Sequence, residues 1–168
     1  MFSIVKLEDI IKLDPKQFNN ITESVKQNLV SNYENKVIGK LDSFVIKIVD
    51  IDEHTIINGK VNEVTGGVNY LVRYTAVLFN PVKNGILDVV IYKSNEIGLF
   101  GKVKLINNGD NVNIQCIMPK ELLTNHTFSI TDQCWHNGTD NVKVDSNIKM
   151  KIKDVTMDYY RIVIIGEI

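Results

Sequence analysis

Three acidic side chains, Asp50, Asp52 and Glu53, fall within four positions and could hold a hard cation. They lack the glycine and glutamate spacing of a calcium loop and read as a solvated turn. Cys116, His126, Cys134 and His136 bring four nitrogen and sulfur ligands into twenty-one positions, without the Cys-x-x-Cys pairing of structural zinc sites. The expectation is no metal, no disulfide between the two cysteines and no cofactor. His54 stands alone. The chain has no phosphate-binding glycine loop, no paired catalytic carboxylate motif and no nucleophile elbow, which argues against an enzyme.

The remaining chemistry points to single-stranded nucleic acid. Tyr92, Phe100, Lys102 and Lys104 fall on two neighbouring strand candidates, and Phe100, Lys102 and Lys104 share one alternation parity. Aromatic faces stack bases and lysines follow phosphates. The same pattern suits a core Phe100 flanked by solubilising lysines, and alternation does not separate the two readings. Lys149, Lys151 and Lys153 alternate with Met150 and Ile152, giving a half-buried strand with a basic outer face that extends the track. The formal net charge is −1. A free-standing nucleic-acid binder carries a basic excess, because phosphate neutralisation supplies most of its affinity. Any RNA contact is therefore expected to be weak, or made inside a larger assembly.

These residues need a scaffold, and the 168 residues suffice for one domain or two small ones. The N-terminus, MFSIVKLEDIIKLD, has no apolar stretch suited to a signal peptide, and no run approaches a membrane span. A soluble, intracellular protein with no membrane partner is expected. Ala76 is the only alanine, Arg73 and Arg161 are the only arginines, and Ile, Asn and Lys are abundant. This bias suggests an A+T-rich genome.

Phe2–Leu7 reads as a strand. Asp14 and Pro15 then open a helix whose stripe is Phe18, Ile21, Val25, Leu29 and Tyr33, with Asn35 as its stop. KVIGKLDSFVIKIVDID, from Lys36, reads as one strand bent at Gly39, and HTIINGKVNEV as a second. Thr65-Gly66-Gly67 is a turn, and NYLVRYTAVLF a third strand with strict alternation. An antiparallel sheet covered on one face by a helix follows. Asn80–Gly85 breaks the pattern and predicts a boundary between domains 1–79 and 80–168. Beyond it come short strands at Ile86–Tyr92, Gly98–Leu105 and Asn111–Ile117, a polar irregular stretch from Pro119 to Asp145, and strands at Asn147–Val155 and Tyr159–Gly166. Five strands in this order fit an OB-fold barrel, making the chain α+β.

GKVNEVTGGVNYLVRYTAVLFNPVKNG, with Gly59, Lys60, Val61, Thr65, Gly66, Tyr70, Val72, Arg73, Tyr74, Ala76, Val77, Phe79 and Pro81, resembles the seventh subunit of eukaryotic RNA polymerase II and its counterpart in the archaeal RNA polymerase. MFSI at the start, Gly98, Met118-Pro119 with Glu121-Leu122, and IKMKIKDV extend the match over the chain. Asn84–Ile91 departs from the family's Gly-Glu-Val-x-x-Gly-x-Val, and the barrel is poor in arginine, as in a divergent, viral copy. The resemblance implies a non-catalytic polymerase stalk subunit. Its N-terminal tip domain docks at the clamp and the largest subunit, its barrel contacts nascent RNA, and a second small stalk subunit clasps both. It implies docking through Gly59, Lys60, Val61, Thr65, Gly66 and Gly67, and a location in the nucleus, or in a cytoplasmic viral factory and the virion. The competing reading is an independent OB-fold protein that binds single-stranded RNA.

Overall fold

The computed structural model describes residues 1–38, 43–104, 114–157 and 161–168. The chain divides into two compact units, Met1–Asn80 and Pro81–Ile168.

In the first unit, β1 (Phe2–Leu13) lies at the sheet edge and pairs antiparallel along its length with β5 (Val68–Phe79), from Phe2 opposite Phe79 to Leu13 opposite Val68. On its other side β5 pairs first with β4 (Gly59–Val61) and then with β3 (Ser43–Ile51), which carries β2 (Lys36–Ile38). The alternation of β5 sends Tyr70, Val72, Tyr74, Ala76 and Leu78 into the core and leaves Leu71 and Arg73 exposed. The helix α1 (Ile21–Tyr33) adds Val25 and Leu29, both fully buried, to that core.

Four details differ from the sequence reading. First, β1 runs to Leu13, because Glu8, Lys6 and Lys12 sit on the solvent side of an otherwise apolar alternation. Second, Pro15–Asn20 forms a 3-10 helix, and Asn20 makes a new cap for α1 by accepting from the Glu23 N–H. Third, the long strand from Lys36 is a hairpin of β2 and β3, with Lys36 opposite Val45; Gly39, its expected bend, lies outside the described residues. Fourth, the expected second strand opens as a 3-10 helix, Glu53–Ile57, and continues as a strand only over Gly59–Val61. There the Asp52 carboxylate accepts from the His54 N–H, and Thr55 Oγ1 donates to the Asp52 carbonyl at 2.6 Å. Such local bonds compete with a strand ladder, leaving only β4 in the sheet.

The second unit is a closed barrel. β6 (Ile86–Asn95) pairs with β7 (Gly98–Val103), β7 with β8 (Gln115–Pro119), and β12 (Asn147–Met157) with both β6 and β13 (Ile162–Glu167). A parallel ladder, β13 on β8, closes the ring in OB-fold order. Leu87, Val89, Ile91, Leu99, Met118, Met150, Ile152 and Ile164 are buried. The stretch expected to be irregular instead contains a small sheet of β9 (Thr127–Ser129), β10 (Cys134–His136) and β11 (Asn141–Val142), strands too short for alternation to show. The expected strand limits at Leu105, Asn111 and Tyr159 lie outside the described residues.

Leu29→Ala removes a fully buried side chain from beneath the sheet and should cost about 2–5 kcal/mol of stability. A urea melt with an unchanged midpoint would refute this placement.

Candidate docking turn and nucleic-acid face

The segment Gly59–Gly67 is a projecting hairpin end. Gly59, Lys60 and Val61 form β4, opposite Tyr70, Asn69 and Val68. Asn62 organises the turn beyond β4: its side-chain Oδ1 accepts from the N–H groups of Val64 (3.1 Å) and Thr65 (3.2 Å), and its carbonyl accepts from Gly66 (2.8 Å). Gly66 has φ +67, a left-handed conformation that suits glycine and strains a β-branched residue. Thr65 is exposed and Gly67 is buried. The turn carries apolar groups outward: Val61 is 67% and Val64 94% exposed. Val64 had no counterpart among the sequence candidates; four exposed residues around an Asx turn give no periodicity to flag it.

On the barrel, Leu99, Gly101 and Val103 point inward, while Phe100 and Lys102 are half-buried and Lys104 is exposed. Phe100 therefore lies on the outer face. The Lys102 ammonium sits 5.6 Å from the centre of the Tyr92 ring, and the Lys93 ammonium 5.8 Å from that of Phe100. Each ring thus has a lysine over it, a favourable placement of charge on a π-face. A bulge between Ile91 and Lys93 produces this arrangement, leaving both Tyr92 and Lys93 exposed. Strict alternation hides Lys93 in the sequence, because the bulge shifts the parity.

β12 extends the face. Lys104 Nζ donates to Asn147 Oδ1 at 3.4 Å, and exposed Lys149 stands opposite Asp88 of β6. Lys151 and Lys153 turn elsewhere, to Glu167 of β13, at 3.8 and 2.7 Å. Hydrogen bonding and charge from Lys153 hold the Glu167 carboxyl below its ordinary range. Lys102, Lys104 and Lys149 thus stand apart from Lys151 and Lys153, which are partly neutralised by Glu167.

Elsewhere the polar groups serve the fold. Arg73 Nε donates to Glu8 at 2.5 Å across β5 and β1. The Tyr74 hydroxyl donates to Asp9 at 2.7 Å; burial, with that bond, holds its proton well above the usual phenol range. Asp50 lies in β3, Asp52 caps the 3-10 helix, and Glu53 pairs with Lys26. Among the described residues, no three His, Cys, Asp or Glu side chains gather as a metal site. No described helix is long and apolar enough to cross a membrane.

A helix-covered sheet unit is thus followed by an OB-fold barrel, with an apolar turn on the first and an aromatic–lysine face on the second. Residues 8–63 match the SHS2 domain found in the N terminus of Rpb7p/Rpc25p/MJ0397. The chain is 27% identical over 169 residues to DNA-directed RNA polymerase II subunit rpb7 of Dictyostelium discoideum, covering 100% of this chain and 95% of that protein. It is also 27% identical to the RPB7 subunit of Glycine max, covering 100% and 92%. A partial match, 28% identical over 62% of this chain and 43% of the relative, is to RNA polymerase III subunit rpc8 of Dictyostelium discoideum. The chain is thus similar to Rpb7-type polymerase subunits along its whole length, and to their N-terminal domain over residues 8–63.

Both cysteines are free and buried, and burial pushes the Cys116 thiol up to about 12 from its ordinary 9.0. A thiol held protonated by the fold contributes stability that is complete below pH 9.0 and lost as pH rises toward about 12. Peptide mapping after treatment with a disulfide reagent at neutral pH should show Cys116 unmodified until urea is added; rapid native labelling would contradict its burial.

Proposed function

We propose that the protein is a non-catalytic subunit of a DNA-directed RNA polymerase, docking on the core through the Gly59–Gly67 turn and touching nascent single-stranded RNA through the β6–β7 face. One observation carries this reading: the likeness to polymerase subunits runs through both units, spanning 100% of the chain for the relatives from Dictyostelium discoideum and Glycine max. Its partners are then the largest subunit and clamp region, with a second small stalk subunit alongside.

The physical features support this division of labour. A small turn concentrates binding energy in few residues, and Val61 and Val64 are the apolar groups that a complementary pocket would desolvate. The barrel supplies two rings for base stacking and lysines for phosphates, yet the net charge of −1 gives the free protein no long-range attraction for RNA. Tethering at the polymerase supplies instead a high effective concentration of transcript. An independent RNA-binding protein would have to bind without that help, and would leave the turn without a purpose.

Gly66→Val places a β-branched residue at φ +67 in the turn. Tagged full-length variant should fail to co-purify the polymerase's largest subunit, while its circular dichroism and RNA binding match the parent. Recovery at parental stoichiometry would sink the docking assignment. For the barrel, the Lys102→Glu, Lys104→Glu double variant should lose about 0.7 of salt slope per phosphate contact on single-stranded RNA. A salt titration superimposable on the parent's would remove this face from the RNA path.

A further inference from the structure

The sheet β9–β10–β11 lies in the chain between the third and fourth barrel strands. Its largest side chain, Trp135, is only 2% exposed and packs 5.5 Å from the Phe128 ring, tilted by 48°. The indole N–H does not stay within the sheet. It donates to the main-chain carbonyl of Asn95, the last residue of β6, at 3.0 Å.

Asn95 already governs the β6–β7 turn. Its side-chain Oδ1 accepts from the N–H groups of Ile97 (3.1 Å) and Gly98 (3.2 Å). The Ile97 carbonyl accepts from Lys120 at 2.9 Å. Gly98, at φ +153, has no room for a Cβ, which would meet the Met118 carbonyl at 2.3 Å. The turn is therefore closed from within by Asn95, braced against the segment after β8, and held from the added sheet by Trp135. Two ladder steps inward from Asn95 opposite Gly98 stands Lys93 opposite Phe100, the aromatic–lysine pair of the outer face.

We propose that Trp135 is a positioning residue for RNA: by holding the end of the β6–β7 hairpin, it keeps Phe100 and Lys93 in the geometry that stacks a base and meets its phosphate. This rests on the RNA-contact reading above. A buried indole N–H needs an acceptor wherever it lies; here the acceptor is the last carbonyl of β6, which ties the added sheet to the hairpin that carries Lys93 and Phe100.

Trp135 is the only tryptophan in the chain, so the full-length protein gives a single indole N–H resonance. That resonance should resist solvent exchange and should shift when a short oligouridine is added. Trp135→Phe keeps an aromatic ring and removes the donor. Amide exchange at Ile97 and Gly98 should accelerate about tenfold, the effect of one lost buried hydrogen bond. The oligouridine Kd should rise about five- to tenfold by the same reasoning, with the salt slope unchanged because every lysine remains. Should the smaller ring unfold the added sheet, 3-benzothienylalanine at position 135, which matches the indole in shape but has no N–H, replaces it. Parental Kd in the folded variant overturns the proposal. If the parent itself binds no oligouridine, the RNA-contact reading is what fails. The exchange rates alone then decide whether Trp135 holds the turn: acceleration sustains the clamp and parental rates overturn it.

Discussion

The first unit depends on the main-chain ladder of β5. One edge of this strand is occupied by the whole of β1, and the other is divided between β4 and β3. Every other element takes its place from that arrangement. The helix covers the face to which β5 sends Tyr70, Val72, Tyr74, Ala76 and Leu78. The Asn62–Gly67 turn projects where β4 leaves the ladder. Because side chains alternate with a period of two, a slip of one residue would turn the buried set outward and Arg73 inward, a large penalty that makes this register unambiguous.

The same alternation explains what could be read without a structure. NYLVRYTAVLF is long and strictly patterned, the α1 stripe reaches the core through Val25 and Leu29, and the barrel strands are separated by Gly, Asn and Pro. Features that escaped reading are those in which a local bond overrides a period. Asp52 and Thr55 bend an apolar run into a 3-10 helix. Glu34, just past α1, accepts from the Ile48 N–H at 2.8 Å, beside the irregularity in β3. The β6 bulge moves Lys93 onto the aromatic face. For the candidate surfaces, residue types were legible but neighbourhoods were not: nothing in the spacing of Lys149, Lys151 and Lys153 says that the last two meet Glu167.

The two candidate surfaces differ in kind. The turn offers exposed aliphatic groups on a backbone held by Asn62, so any partner met there would be recognised by shape and desolvation. The barrel face offers rings whose lysines are already in place, so any ligand met there would be held by charge and stacking and would respond to salt.

The position of β1 at the sheet margin has a consequence for handling the isolated protein. Its outer row of N–H and C=O groups, twelve residues long, meets no further strand among the described residues. Ile4 and Ile10 are 73% and 65% exposed beside it. Such a margin is a template for another chain's strand, and sticky side chains make it worse. Lys6, Glu8 and Lys12, set between and beyond those isoleucines, act as gatekeepers, since a second copy laid alongside would have to desolvate them. Colloidal behaviour should thus hang on three charged side chains that belong to neither candidate surface, and replacing them with alanine should favour self-association through this margin.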